Sequence, residues 1–382
     1  MYKGYQDTGI LSRGGYVDLR PPKTASWVRD IPSYKPGKAK EEIAKKYGIE
    51  NPIKLASNEN PLGPSPAALR AIDDYKSIVN LYPDTTSKEL RTRAASFFKC
   101  KKEQIIAGNG SDEIIDLVCR AYIEPGNNVI IPECTFSYYS IASKACGASV
   151  TYAPMKDGLG IDIDSIVSGV NAQTKIVFLA NPNNPTGLYL DFDSLSRLLE
   201  LLPDQVLVLL DEAYGLFSRA GDFKSGLEFI GKDKRILVIT TLSKSHGLAG
   251  LRVGFGIGDY SIIDSLNRIK PPFNVNILAQ RAGIAALGDT LFLEKTLDTV
   301  WNGLDFLYSG LKSLGLEFLP SQTNFVLVKI GKNAKSVYNE LLRQGIITRY
   351  MESYGLKEYI RISVGLPEEN RTLINTMRRI LV

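Results

Sequence analysis

The 382 residues hold one histidine, His246. A single imidazole excludes three-histidine and HExxH metal sites, and no GxSxG elbow is present to build a serine triad. No metal is expected. Cysteine is scarce as well: Cys100, Cys119, Cys134 and Cys146 form no CxxC pair and no zinc-like spacing, so a reduced, cytoplasmic chain is expected rather than a disulfide scaffold. Long apolar runs are missing. VLVLL at 206–210 is among the longest aliphatic stretches, far short of a membrane span, and the first 30 residues carry no apolar signal core. Nor does charge of one sign accumulate. The 46 basic and 41 acidic residues leave +5 with no dense basic run, which argues against a nucleic-acid footprint and leaves small anionic molecules as partners.

What is there is ordinary globular material, 44% apolar and 23% charged, in a chain too long for one compact core. Residues 1–50 are polar and rich in Pro, Gly and Lys, with EEIAKKYG (41–48) the one helical pattern, and read as an N-terminal arm joining a smaller domain. From residue 104, β-rich runs alternate with helix-length segments: QIIAG (104–108), NVIIP (128–132), SVTYAP (149–154), KIVFLA (175–180), QVLVLL (205–210), RILVIT (235–240) and RVGFGI (252–257). Seven such runs predict an α/β domain over 51–275, with a mostly parallel sheet covered by helices. SDEIIDLVCRAYIEPG (111–126) predicts a helix with Ser111 as N-cap, acids in the first turn and a Pro-Gly stop. Beyond 275, a long helical region (277–314) precedes LEFLP, TNFVLVKI, GIITRY and YIRISVG, with helices near 334–344 and from 367. That pattern predicts a smaller α+β domain over 276–382.

Two motifs are decoys. GLEFIGKD (226–233) nearly spells a P-loop, but Asp233 stands where a Ser or Thr must follow the lysine, and no buried strand leads into it. GNGSDE (108–113) begins like a dinucleotide fingerprint and carries Glu113 where the third glycine belongs. The same turn, feeding a helix, still offers backbone N–H groups to an anion.

Chemistry concentrates at three strand ends. KIVFLA runs into NPNNPTG (181–187), QVLVLL into DEAY (211–214), and RILVIT into TLSKSHGLAGLR (241–252), so polar residues gather at the carboxyl edge where α/β sheets bind ligands. Asn184, Asp211, Tyr214, Lys244 and Arg252 together fit pyridoxal phosphate. A lysine condenses with its aldehyde, a carboxylate keeps the pyridine nitrogen protonated, amide and phenol groups hold the ring hydroxyl, and an arginine with hydroxyls and a helix N-terminus takes the phosphate.

The ordered set AGNGSDE, ANPNNPTG, DEAY and SKSHGLAGLRVG resembles the class I/II aminotransferases of fold-type I, pyridoxal-phosphate enzymes with a large domain and a smaller α+β domain. The resemblance covers nearly the whole chain. It implies Lys244 as the lysine bonded to the cofactor, Asp211 as the pyridinium partner, and Asn184 and Tyr214 as ligands of the ring hydroxyl. It also implies Phe136 as the ring-stacking aromatic, with Thr241, Ser243, Arg252 and the backbone at Gly110, Ser111 and Asp112 seating the phosphate. KLASNENPLGPSP (54–66), LYPD (81–84), PPFNVN (271–276), QTNFVLV (322–328), GIITR (345–349) and YIRISVG (359–365) narrow the likeness to the histidinol-phosphate aminotransferase family. On that likeness Arg361 grips the substrate's carboxyl or its equivalent. Tyr82 reaches the cofactor phosphate of a neighbouring subunit, and Arg349, Tyr34 and Asn324 line the substrate pocket. A homodimer using 2-oxoglutarate as amino acceptor is implied.

Within the same fold, an aromatic-amino-acid aminotransferase and a threonine-phosphate decarboxylase remain open, and a non-catalytic relative of the fold stands as the reading from another class. His246 is expected to pack beside the site, because lysine supplies the acid-base function.

Overall fold

The alternation of β-branched runs with helical segments is realised in a computed structural model that describes residues 22–33 and 37–381. The chain enters through α1 (Lys40–Tyr47), β1 (Ile53–Lys54), α2 (Pro66–Tyr75) and α3 (Lys88–Phe98). It then lays down β2 (Ile105–Gly108), α4 (Ser111–Tyr122), β3 (Asn128–Pro132), α5 (Tyr138–Ala145), β4 (Ser149–Ala153), α6 (Ile163–Ser168), β5 (Thr174–Ala180), α7 (Phe192–Leu201), β6 (Leu207–Asp211), β7 (Ile236–Thr241) and β8 (Gly254–Gly258). Strands β2 to β8 make one sheet in the order β2-β8-β7-β6-β5-β3-β4. All its pairings are parallel except those of β8, which runs antiparallel to both β7 and β2.

The central strands are apolar along their middles because both faces are covered. Ile176, Phe178 and Ala180 of β5 pack with Ile114, Val118 and Tyr139 from α4 and α5. Val177 and Leu179 between them pack with Ile166 of α6 and Leu195 and Leu198 of α7 on the other face.

The chain continues through α8 (Tyr260–Ile269), α9 (Ile277–Ala286), α10 (Thr290–Ser313), β9 (Glu317–Leu319), β10 (Phe325–Lys329), α11 (Ala334–Arg343), β11 (Ile346–Ile347), β12 (Arg349–Tyr350), β13 (Tyr359–Ser363) and α12 (Pro367–Ile380). An antiparallel sheet of order β12-β13-β10-β9 packs on α10 and α12 through Val300, Leu307, Phe325, Ile360 and Leu373. Strand β1 pairs in parallel with β11, so the segment after α1 is stitched to the C-terminal strands.

Two details differ from the sequence reading. The helical region 277–314 is two helices, parted where Asp289 caps α10 by accepting from the Phe292 N–H at 3.2 Å. Helix α9 packs Ala279, Ala282 and Ala286 with Leu90, Leu242 and Phe255, so its apolar face goes with the large sheet, one helix beyond the boundary expected at 275. Among the described residues, no helix is long and apolar enough to cross a membrane.

Candidate active site

Strands β5, β6 and β7 run parallel, so their carboxyl ends and the loops that follow open on one edge of the large sheet. Facing that edge are β12, β13 and the segment after β1. Between them lies a cavity of about 230 Å³ lined by Ser111, Asp112, Phe136, Asn184, Asp211, Tyr214, Thr241, Ser243, Lys244, Arg252, Arg349 and Arg361, together with Tyr139, Tyr354 and residues 56–58.

Lys244 lies in the loop after β7 and donates from Nζ to the Ser57 carbonyl at 3.2 Å. Burial lowers its pKa to about 8, and the nearby Arg361 charge pushes the same way. A neutral amine is therefore within reach of neutral pH. Asp211 closes β6 with a buried carboxylate that accepts from the Tyr139 hydroxyl at 2.7 Å and the Ala213 N–H at 2.9 Å. Burial raises its pKa to about 6, which still leaves it ionised at pH 7. Asn184 accepts through Oδ1 from Arg361 Nη1, and Arg361 Nη2 donates to the Ala56 carbonyl at 2.8 Å. The Asn184 amide N–H groups are left for other acceptors. Tyr214 accepts from Asn58 Nδ2 at 2.9 Å and stands edge-on to Phe325. Phe136 meets Tyr139 edge-on at 5.5 Å.

One end of the cavity is built for an anion. Ser111 is the first helical residue of α4, not its cap. The cap is Gly110, at φ +81°, a conformation that side chains with a Cβ rarely adopt, and Arg252 Nη2 stands only 2.5 Å from where a Cβ would lie. The Ser111 hydroxyl is thereby released from capping and lines the cavity. The helix also ends at Tyr122, short of the Pro-Gly. Gly254 allows a second close approach, since a Cβ on it would meet the Ser111 backbone nitrogen at 2.6 Å. Around this turn stand Arg252, paired with Asp112 at 3.0 Å, and Thr241, whose Oγ1 accepts from the Ser243 N–H at 3.1 Å. Free helix N–H groups, hydroxyls and a guanidinium make a phosphate seat.

Arg349 and Arg361 are direct partners across the β12–β13 ladder, so their side chains leave the same face of the sheet into the cavity.

Two of the expected residues stand apart from the cavity lining, and a third is not described. Tyr82 is 82% exposed and stacks on Phe273 with ring centroids 4.5 Å apart, outside the cavity of its own chain. Asn324 is buried behind the cavity and donates to the Asn58 carbonyl at 3.0 Å. Tyr34 lies outside the described residues. His246 is fully buried, with Nδ1 2.9 Å from the Ser245 hydroxyl and its ring edge-on to Phe97; burial depresses its pKa to about 4, which keeps it neutral. The sequence reading missed Tyr139 and residues 56–58. Tyr139 reads as part of the apolar face of a short helix, and 56–58 lie inside a matched motif that shows no residue-level signal.

The residues fit pyridoxal phosphate. A half-buried lysine of lowered pKa and a buried carboxylate face one cavity, beside an anion seat where the N-terminus of α4 meets Thr241, Ser243 and Arg252. Comparison with known proteins agrees. The profile of aminotransferases of class I and II matches residues 50–376. The chain is 40% identical to histidinol-phosphate aminotransferase 2 of Pseudomonas fluorescens over 96% of its own length and 99% of that protein. It is 38% identical to histidinol-phosphate aminotransferase of Moorella thermoacetica, over 94% of this chain and 93% of the relative. The crystal structure of histidinol-phosphate aminotransferase from Sinorhizobium meliloti in complex with pyridoxal-5'-phosphate superposes with a TM-score of 0.86 at 25% identity, covering 97% of this chain and all of that one.

The chain belongs to the class I and II aminotransferases, and within them to the histidinol-phosphate aminotransferase family. It is a pyridoxal-phosphate-dependent enzyme of fold-type I, as the four ordered motifs imply.

Proposed function

We propose that the protein transfers the amino group of histidinol phosphate to 2-oxoglutarate, a step of histidine biosynthesis, as a cytoplasmic homodimer. The observation that carries the substrate is the pairing of Arg349 with Arg361 on one face of the β12–β13 ladder. A phosphate dianion between the two guanidinium groups can accept two charge-assisted forks, whereas the single carboxylate of an ordinary amino acid calls for one. Relatives 40% identical over nearly the whole chain carry the same substrate in their name.

When bound, pyridoxal phosphate supplies an aldehyde that takes up amino groups and a ring that withdraws electrons from the carbon bearing them. The protein's own groups hold and steer that chemistry. Lys244 would bond the aldehyde and, as a neutral amine, would move a proton at its Nζ. Asp211 would hold a proton on the ring nitrogen. Asn184 and Tyr214 would donate to the ring hydroxyl's oxygen, and Phe136 would pack against the ring. The phosphate seat is Gly110, Ser111, Asp112, Thr241, Ser243 and Arg252. Tyr34 joins the two arginines at the substrate, and Asn324 acts from behind, through the Asn58 carbonyl. The exposed Val79, Leu81 and Tyr82 support a second copy covering this patch, with Tyr82 directed at the neighbour's cofactor phosphate.

Steady-state kinetics with histidinol phosphate, phenylalanine and tyrosine test the reading, repeated for Arg349→Ala. The loss should fall mainly on the phosphorylated substrate, on the order of a hundredfold in kcat/KM for one charge-assisted contact. Equal losses on all donors, or carbon dioxide release from threonine phosphate, overturn it.

A further inference from the structure

Three consecutive residues after β1 each touch a different functional side chain. The Ala56 carbonyl accepts from Arg361, the Ser57 carbonyl accepts from Lys244, and the Asn58 amide donates to Tyr214. Asn58 is the most constrained of the three. It is buried to 2% exposure and sits at φ +54°, a left-handed conformation that asparagine tolerates better than other side chains with a Cβ.

Its hydrogen bonds have a fixed polarity. The Asn58 backbone N–H can only donate, and it donates to Ser363 Oγ at 2.9 Å. That hydroxyl has one proton and donates it to Asn58 Oδ1 at 2.8 Å. The amide is thereby oriented with Nδ2, which can only donate, toward the Tyr214 oxygen at 2.9 Å. Because the phenol oxygen accepts there, its own single proton is left to point elsewhere, and Tyr214 lines the cavity. Ser363 lies two residues beyond Arg361 on β13, so this relay begins on the strand that carries the substrate arginine.

We infer that Asn58 is a positioning residue: with Ser363 it directs the Tyr214 hydroxyl proton into the cavity, toward the ring hydroxyl of the cofactor. The inference rests on the binding of pyridoxal phosphate in this cavity. A donor aimed at the ring oxygen favours its negatively charged form. Turning that donor away should raise the pH at which the bound chromophore loses its proton.

The test is a pH titration of the visible absorbance of the holoenzyme. Wild type must first show a bound chromophore, and a colourless protein defeats the cofactor reading rather than this one. Asn58→Gly keeps the left-handed backbone without strain and deletes only the amide. Asn58→Asp replaces the donor by an acceptor and should turn the Tyr214 proton back toward residue 58. Both should move the absorbance midpoint upward, by about one pH unit for one hydrogen bond. In a Tyr214→Phe background, Asn58→Gly should add nothing, because Asn58 acts through that hydroxyl. Ser363→Ala, which leaves Asn58 in place, is expected to give a smaller shift of the same sign. An unchanged midpoint in folded Asn58→Gly, or an equal shift with and without the Tyr214 hydroxyl, overturns the inference.

Discussion

Tyr139 donates its hydroxyl proton to the Asp211 carboxylate across 2.7 Å, with both side chains buried. The ring is held by its neighbours as well, stacked on Phe178 and edge-on to Phe136. Burial is the main cause of the raised Asp211 pKa, the Asp112 charge adds to it, and the Tyr139 bond opposes the rise. Tyr139→Phe keeps the packing and removes only the donor. The carboxylate should then protonate more readily and hold a ring-nitrogen proton less well. Cofactor affinity, measured by absorbance titration of ligand-free protein, is expected to fall about tenfold, the scale of one hydrogen bond to a charged group. Unchanged affinity and an unchanged absorbance spectrum would show that the bond is only structural.

The lowered pKa of Lys244 gives a kinetic expectation. An amine attacks an aldehyde only when neutral, so the rate at which ligand-free protein captures added pyridoxal phosphate should climb with pH and level off above about 8. Arg361 is the second cause of that lowering, after burial. Arg361→Ala should therefore move the midpoint upward. Lys244→Ala should capture no cofactor in the visible-absorbing form and turn over no substrate. Stopped-flow absorbance reads both variants, and turnover or visible capture by Lys244→Ala defeats the assignment.

Much of the site was legible because a parallel sheet sends the ends of its strands to one edge. Asn184, Asp211, Tyr214 and Lys244 each follow an apolar run by a few residues, and β5, β6 and β7 being parallel neighbours brings them together. What was not legible depends on contacts distant in sequence. Asn58 meets Ser363 from 305 residues away, and nothing local to KLASNENP marks that partner. The chain re-enters the sheet as the antiparallel β8 just after Arg252, at φ +57°, a conformation its residue type does not announce. Ser111 reads as the cap of α4, but the turn places Gly110 there at φ +81°, a conformation fixed by the packing of the turn beside Arg252 and not announced by the serine. Helix α9 follows the large sheet because its small alanines fit against α2 and α3, a complementarity that hydrophobic spacing does not encode.

Gly254 should be the least replaceable glycine of the anion seat. An alanine there would place its Cβ 2.6 Å from the Ser111 nitrogen and 2.9 Å from the Thr240 carbonyl oxygen, backbone atoms that can move only by parting α4 or β7 from β8. Gly254→Ala is expected to cost about 1–3 kcal/mol of stability. It should weaken the binding of pyridoxal phosphate more than that of pyridoxal, because the seat is shared only by the phosphate. Gly250→Ala is the control, since its Cβ would meet no atom within 4 Å. Equal weakening of both ligands would place the phosphate elsewhere.

Glu212, next to Asp211, faces away from the cavity chemistry and holds the loop after β6. Its carboxylate accepts from the Ser225 hydroxyl at 2.5 Å and the Gly226 N–H at 2.6 Å. Gly226, part of the P-loop decoy, is needed there for packing, because a Cβ would lie 2.4 Å from Leu210 Cδ2. Burial raises the Glu212 pKa to about 7, against an ordinary 4.5, and the two hydrogen bonds only partly offset it. A folded-state pKa above the unfolded one means that the folded protein binds the proton more tightly. The unfolded chain releases it first as pH rises, so this carboxyl withdraws stability between pH 4.5 and about 7. Glu212→Gln is uncharged and cannot titrate. Relative to wild type, its stability should improve steadily as pH rises through that window, by up to about 3 kcal/mol. Glu212→Ala should be less stable than Glu212→Gln throughout, since it strands the Gly226 N–H. Denaturant unfolding of the ligand-free proteins from pH 5 to 7.5 measures the difference, and a gap between wild type and Glu212→Gln that does not change with pH rules out the titration of Glu212 as its cause.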